Sequence, residues 1–181
     1  MNKTSTKKTP ILAGTAVYYP LNTGNTWTYK MKDGTTYTNS IIGVDLVNHC
    51  EFTVANSFAS TLVKIRKEEN FYLTTSYEAE KFLLFLKDDM INGQNWSVIF
   101  DANGFENILI VTVKQTGLTK EVEGLTYEDV VQLEAESRMN MNGQMVALNF
   151  FTQYYYAKGV GLILTTSSMG DEHALISCEL K

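Results

Sequence analysis

The sequence predicts an all-β fold: a single domain of about ten antiparallel strands in a curved sheet or partial barrel. Apolar and polar residues alternate with a period of two over several runs. Asp33-Gly34, Asn103-Gly104 and Asn142-Gly143 punctuate those runs in the manner of tight hairpin turns. Aromatic residues are 12% of the 181-residue chain against two prolines, a balance that favours strands.

The first clear element is Trp27–Lys32. Trp27, Tyr29 and Met31 share one face, and Thr28, Lys30 and Lys32 share the other. Asp33-Gly34 then predicts a type I′ turn into Thr35–Thr38, because that turn needs positive φ at both central residues. Further strands are expected near 37–47, 50–55, 60–67 and 71–76, and later near 144–156, 160–167 and 173–180. Asn103-Gly104 separates Trp96–Phe100 from Ile108–Val113, and Asn142-Gly143 separates Val130–Met141 from Met145–Phe151. Along the strand Val131–Met139, Val131, Leu133, Ala135 and Met139 alternate with Gln132, Glu134, Glu136 and Arg138, which reads as a half-exposed antiparallel strand. Ile108–Val111 is apolar on both faces and reads as a central strand covered on both sides. Glu78–Met90 is open between helix and strand. It holds good helix formers but ends in Asp88-Asp89 without a cap, so strand is preferred.

Charge divides the chain unevenly. The net charge is −5, with 15 basic and 20 acidic residues. Residues 1–10 carry Lys3, Lys7 and Lys8 and no acid, which leaves 12 basic against 20 acidic residues, or −8, in the remainder. Residues 1–16 read as a flexible polar tether and 17–181 as the β domain. The acidic body argues against nucleic-acid partners. No apolar run is long enough for a transmembrane segment. The N-terminal segment lacks the apolar stretch of a secretory signal. The expected location is therefore the cell envelope if an export signal has been trimmed, and the cytoplasm otherwise.

A weak internal echo is present. Gly24-Asn25-Thr26-Trp27 and Gly93-Gln94-Asn95-Trp96 are both Gly-x-x-Trp, offset by 93 − 24 = 69 residues. Each glycine turns the chain so that a tryptophan can plug the core at a strand start. The functional alternative is a pair of ligand-stacking tryptophans.

Tyr19-Pro20-Leu21-x-x-Gly24-x-x-Trp27-x-Tyr29, the second Gly93-x-x-Trp96, and Tyr156-Ala157-Lys158-Gly159-Val160-Gly161-Leu162 carry a resemblance. Together they resemble a group of bacterial cell-envelope proteins with no established activity. Here Lys87-Asp88-Asp89-Met90 stands where the group has Pro-Leu before its second element. The resemblance implies an antiparallel β fold, a strongly curved sheet or partial barrel, and an exported or lipid-anchored protein. It implies no catalytic residue.

Chemistry-bearing patterns are few. His49 and His173 lack zinc-ligand spacing, and no Gly-x-Ser-x-Gly, Walker loop or His-Glu-x-x-His occurs. Lys158-Gly159-Val160-Gly161 runs into strand-like Leu162–Thr165, so it reads as a bulge or sharp bend and not as a phosphate loop. Glu121 with Glu123 and Glu134 with Glu136 read as solvent-facing pairs. Asp101–Glu106 reads as a hairpin turn, too short for a calcium loop. Alternation places Cys50 inward, and Cys178 inward together with Ala174, Ile176 and Leu180. The two thiols are then either buried and free or, in an exported protein, bridged.

Phe150-Phe151-Thr152-Gln153-Tyr154-Tyr155-Tyr156 is the richest remaining feature. Its aromatics must occupy both faces of a strand, so one set fills the core and the other covers a layer, lines a cavity or meets a partner. The expected function is non-enzymatic. An apolar small molecule or lipid would lie in the curved sheet against Trp27, Trp96, Phe150, Tyr154 and Tyr156, with no cofactor and no metal. The rivals are a solid-cored structural or interaction domain meeting an envelope protein, and an enzyme with a cleft at His49 or His173.

Overall fold

The computed structural model describes residues 17–47, 51–75, 81–102 and 104–181. The expected tether, His49, Cys50 with its bridge to Cys178, and Asn103 lie outside the described residues. None of the described residues is helical. Twelve strands follow one another: β1 Thr26–Met31, β2 Thr36–Asp45, β3 Glu51–Asn56, β4 Thr61–Glu68, β5 Phe71–Thr75, β6 Phe82–Lys87, β7 Asn95–Ala102, β8 Phe105–Val122, β9 Leu125–Met141, β10 Gln144–Ala157, β11 Gly161–Ser167 and β12 Glu172–Glu179. The stretch left open between helix and strand holds β6, which joins the eleven expected runs to make twelve. Phe82-Leu83-Leu84-Phe85-Leu86 gains more by completing a sheet than its helix propensity offers.

All strands pair antiparallel in one sheet, in the order β6-β5-β4-β3-β2-β1-β12-β11-β10-β9-β8-β7. This is an up-and-down meander whose first and last strands pair, while β6 and β7 approach each other without forming a ladder. The result is a nearly closed barrel.

The Gly-x-x-Trp echo is structural. Gly24 N–H donates to the Ile41 carbonyl at 2.8 Å, and Ile41 N–H donates to Asn25 at 2.9 Å. In the second copy Gly93 N–H donates to Val113 at 2.8 Å, and Val113 N–H donates to Gln94 at 2.8 Å. A tight bend precedes each strand, closed by Asn25 N–H to Asn22 and by Gln94 N–H to Ile91, both 3.1 Å. Gly24 and Gly93 take φ of 93° and 82°, which glycine alone adopts freely. The two turns open β1 and β7, so the sheet divides into two six-stranded halves, each starting on the same device.

Two local expectations are corrected. At Asp33-Gly34 only Gly34 takes positive φ, so the turn is not type I′. Gly34 N–H closes onto Met31 at 2.9 Å and Asp33 accepts from Thr35 N–H at 2.8 Å, so the loop is the longer kind that ends on a glycine bulge. Asn142-Gly143 does carry positive φ at both positions. In β12 the ladder skips Ile176, since Thr28 pairs Ser177 and Tyr29 pairs Leu175. That bulge inverts the alternation, so Leu175 and not Ile176 shares the inner face with half-buried Cys178.

The core lies inside the barrel and is dense at one end. Trp27, Tyr29, Tyr72, Leu86, Leu133 and Ile163 are fully buried. Tyr19, from the segment before β1, stacks on Trp27 at 5.2 Å and meets Tyr72 and Phe85 edge-on. Asn25 fastens this plug. Its amide donates to the Pro20 carbonyl and its oxygen accepts from Lys181 N–H, so both chain ends of the domain meet on one fully buried side chain.

Part of the outer face is also covered. β8 and β9 bend near Gly117 and Asp129, both at positive φ, with register shifts between Val113 and Lys120. Lys120 lies over the Tyr155 ring at 4.4 Å and Glu123 binds Lys30 at 2.7 Å, so this hairpin end lies against the outside of β10 and β1. Ile108 and Ile110 lie nearer the other end of β8. They are half-buried, short of the full coverage expected for a doubly covered strand.

Candidate functional site

At the end of the barrel away from the plug the core does not fill. A cavity of about 390 Å³ remains. Its walls are Leu83, Leu84 and Phe85 of β6, Val98, Phe100, Asp101 and Ala102 of β7, Leu109 and Val111 of β8, Ala135 of β9, and Tyr154 and Tyr156 of β10, with Thr74 and Thr75 of β5. The side chains are overwhelmingly apolar, and the polar ones, Thr74, Thr75 and Asp101, lie near strand ends at one side. The volume falls in the range of small-molecule sites, about 300–1,000 Å³. It is well above the roughly 150 Å³ of an engineered apolar cavity that stays dry and takes up benzene.

The strand pattern explains the lining. Leu109 and Val111 are two apart on β8, as are Tyr154 and Tyr156 on β10, so each pair presents one face inward. Ala135 lies between them with almost no side chain, so the middle of the wall has nothing to fill the space. Burial pushes the Tyr154 phenol pKa upward and that of Tyr156 further still, so both rings meet the cavity neutral at any physiological pH.

Of the five residues expected around a ligand, the structure brings Tyr154 and Tyr156 together at the cavity. Trp27 is a core plug: it is fully buried, and its Nε1 donates to the Val160 carbonyl at 2.6 Å. Trp96 packs between the end strands of the sheet, with Nε1 donating to the Leu84 carbonyl at 3.3 Å. Phe150 is half-buried beside a bulge and does not line the cavity. Tyr155, on the opposite face from Tyr154 and Tyr156, is buried under the β8–β9 hairpin, so the aromatic run serves a cavity and a second layer at once.

The β6 and β7 contributions escaped sequence reasoning. Leu83–Phe85 lie in the stretch left open between helix and strand, and the run Trp96–Phe100 does not show which of its residues border unfilled space. Another miss is Asp88. It accepts from Tyr72 Oη at 3.0 Å, from Lys67 Nζ at 2.8 Å and from Tyr18 N–H at 2.8 Å. These bonds tie the plug to the dense end of the barrel, and the Tyr72 phenol pKa is driven up by its burial first and by Asp88 second. His173 hydrogen-bonds the Tyr37 hydroxyl at 2.8 Å and packs edge-on against its ring. Among the described residues no group of His, Cys, Asp and Glu is arranged to hold a metal ion.

A nearly closed β-barrel with an unfilled apolar interior is the class that fold and cavity define. No protein-family model and no curated protein matches the chain. Two crystal structures share the fold. A "putative lipoprotein" from Parabacteroides distasonis aligns over 90% of this chain and 98% of its own, with a TM-score of 0.57 and 12% identity. A "putative exported protein with YmcC-like fold" from Bacteroides fragilis aligns over 91% and 99%, with a TM-score of 0.55 and 10% identity.

Proposed function

We propose that this is a non-enzymatic protein of the cell envelope that holds a lipid or other apolar ligand inside the barrel. The single observation that carries the reading is the 390 Å³ apolar void in a barrel whose other end is densely packed. A solid-cored structural domain would close such space, because the apolar surface lining it forgoes burial worth about 25 cal/mol per Å². The descriptions of the two fold relatives, as a lipoprotein and an exported protein, support an envelope location.

The partner-binding reading has one observation in its favour. Around the β9–β10 turn, Met141, Met145, Val146 and Leu148 are exposed, and Phe105 is exposed at the neighbouring turn. A protein partner seated there is compatible with a ligand in the cavity.

Native mass spectrometry of the purified protein, with organic extraction of the same sample, tests the ligand reading. An adduct of lipid mass that disappears on extraction supports it. A protein that stays bare after incubation with a fatty acid and with phospholipid vesicles contradicts it.

A further inference from the structure

The cavity is not sealed by the sheet. Along β8 and β10 its lining residues alternate, as expected where a wall is seen from one side. Consecutive residues border it on β6 (Leu83-Leu84-Phe85, where the ladder to β5 skips Phe85 at a bulge), at the end of β7 (Phe100-Asp101-Ala102) and at the end of β5 (Thr74-Thr75). Successive side chains of a strand point to opposite faces. Consecutive residues border one void where a bulge breaks the alternation, or where the void reaches a strand's end or edge. Both end strands wall the cavity, and no ladder joins them, so the cavity spans the gap between β6 and β7.

That gap is the one junction around the barrel with no ladder among the described strands. Its counterpart half a turn away, β1 against β12, is joined by a ladder from Thr26↔Glu179 to Met31↔His173. Between β6 and β7, side chains replace the ladder. Trp96 Nε1 donates to the Leu84 carbonyl at 3.3 Å, and Lys81 Nζ donates to the Ile99 carbonyl at 3.2 Å. Lys87 Nζ lies 4.8 Å over the Trp96 ring. Each of these contacts breaks by a rotamer change and leaves every backbone pairing of the sheet intact.

We propose that the β6–β7 seam is the ligand portal, and that the ligand is an amphiphile whose acyl chain slides in sideways while its polar head stays outside. This rests on the reading of the cavity as an apolar-ligand site. A slot along two strand edges suits a chain that is long, narrow and headed. The hydroxyls of Thr74 and Thr75 at one side of the lining provide the polar rim against which a head can rest. The Trp96–Leu84 bond is the latch.

The test staples the seam. In a Cys50→Ser, Cys178→Ala background, Lys81→Cys and Ile99→Cys place thiols on exposed positions across the gap, joined by a bis-methanethiosulfonate linker that reductant cleaves. Uptake of cis-parinaric acid is followed by its fluorescence. The expected result is at least about tenfold slower uptake when stapled, a barrier change of 1.4 kcal/mol, with full recovery after reductant. Equal rates before and after cleavage overturn the portal and leave the cavity reading standing. No binding by the unstapled protein overturns the cavity reading itself. Trp96→Phe keeps the ring and removes the latch bond. It is expected to speed uptake and release about fivefold, the factor for one ordinary hydrogen bond, and an unchanged rate in the folded variant counts against the latch.

Discussion

Trp27 is held from three sides, and each contact can be traced to a residue choice. Tyr19 stacks on it, the Val160 carbonyl takes its indole proton, and Gly161 leaves room beside it. A Cβ on Gly161 would lie 3.0 Å from Nε1, and the residue has φ of 111°. Gly161→Ala is therefore expected to cost about 1–3 kcal/mol through strain and contact together, read as a shift of the urea midpoint. Asn25 is the second residue with more weight than its size implies. Asn25→Ala leaves the buried Pro20 carbonyl without its partner and unties the Lys181 N–H, and should cost about 1–3 kcal/mol. Glu51 is buried against Arg66, with Lys64 3.2 Å from its other oxygen. Its bond to Arg66, foremost, holds its carboxyl below the ordinary 4.5. A lowered folded-state pKa stabilises the fold above the unfolded value and loses that contribution as pH falls through the folded one. The stability gap between the native protein and Glu51→Gln should thus be full above about pH 4.5 and close in more acidic buffer. A gap that stays constant with pH in denaturant melts would rule this out.

At the scale of elements, much of the architecture was legible because strands advertise themselves by a period of two. Val131, Leu133 and Ala135 were placed on a buried face by alternation alone, and all three are at most 2% exposed. Asn142-Gly143 marked a turn because its φ angles are those few residues accept. The failures share one physical origin: pairing with a distant strand alters what the local pattern dictates. Ile176 is displaced by a bulge that exists only because β1 and β12 must register. β6 is a strand because β5 offers it an edge, and nothing in Phe82–Leu86 itself excludes a helix. The end strands also make a prediction of their own. No ladder joins β6 to β7 among the described residues, so amides of these strands that face the seam should exchange with solvent markedly faster than those of β1 and β12. Equal protection at both junctions, read by hydrogen exchange, would mean that β6 and β7 pair in solution.

The whole molecule is a barrel with unequal ends. One end is closed by Tyr18, Tyr19, Trp27, Tyr72 and Met90, with Asp88 and Asn25 satisfying the buried polar groups. The other is hollow, and sequence reading could place Tyr154 and Tyr156 on an inner face without showing that space remains beside Ala135. Alternation reports which way a residue points, never how far away the facing wall stands. Whether this space is a binding site is tested by filling it. Ala135 lines the cavity with only a methyl group, so Ala135→Phe should occupy the void without unfolding the barrel. Titration of cis-parinaric acid into both proteins, with matched melting temperatures as the control for folding, is the measurement. Saturable one-to-one binding to the native protein, weakened at least about tenfold by the substitution, is the predicted result; no saturable binding to the native protein, or undiminished binding to the folded variant, would contradict it.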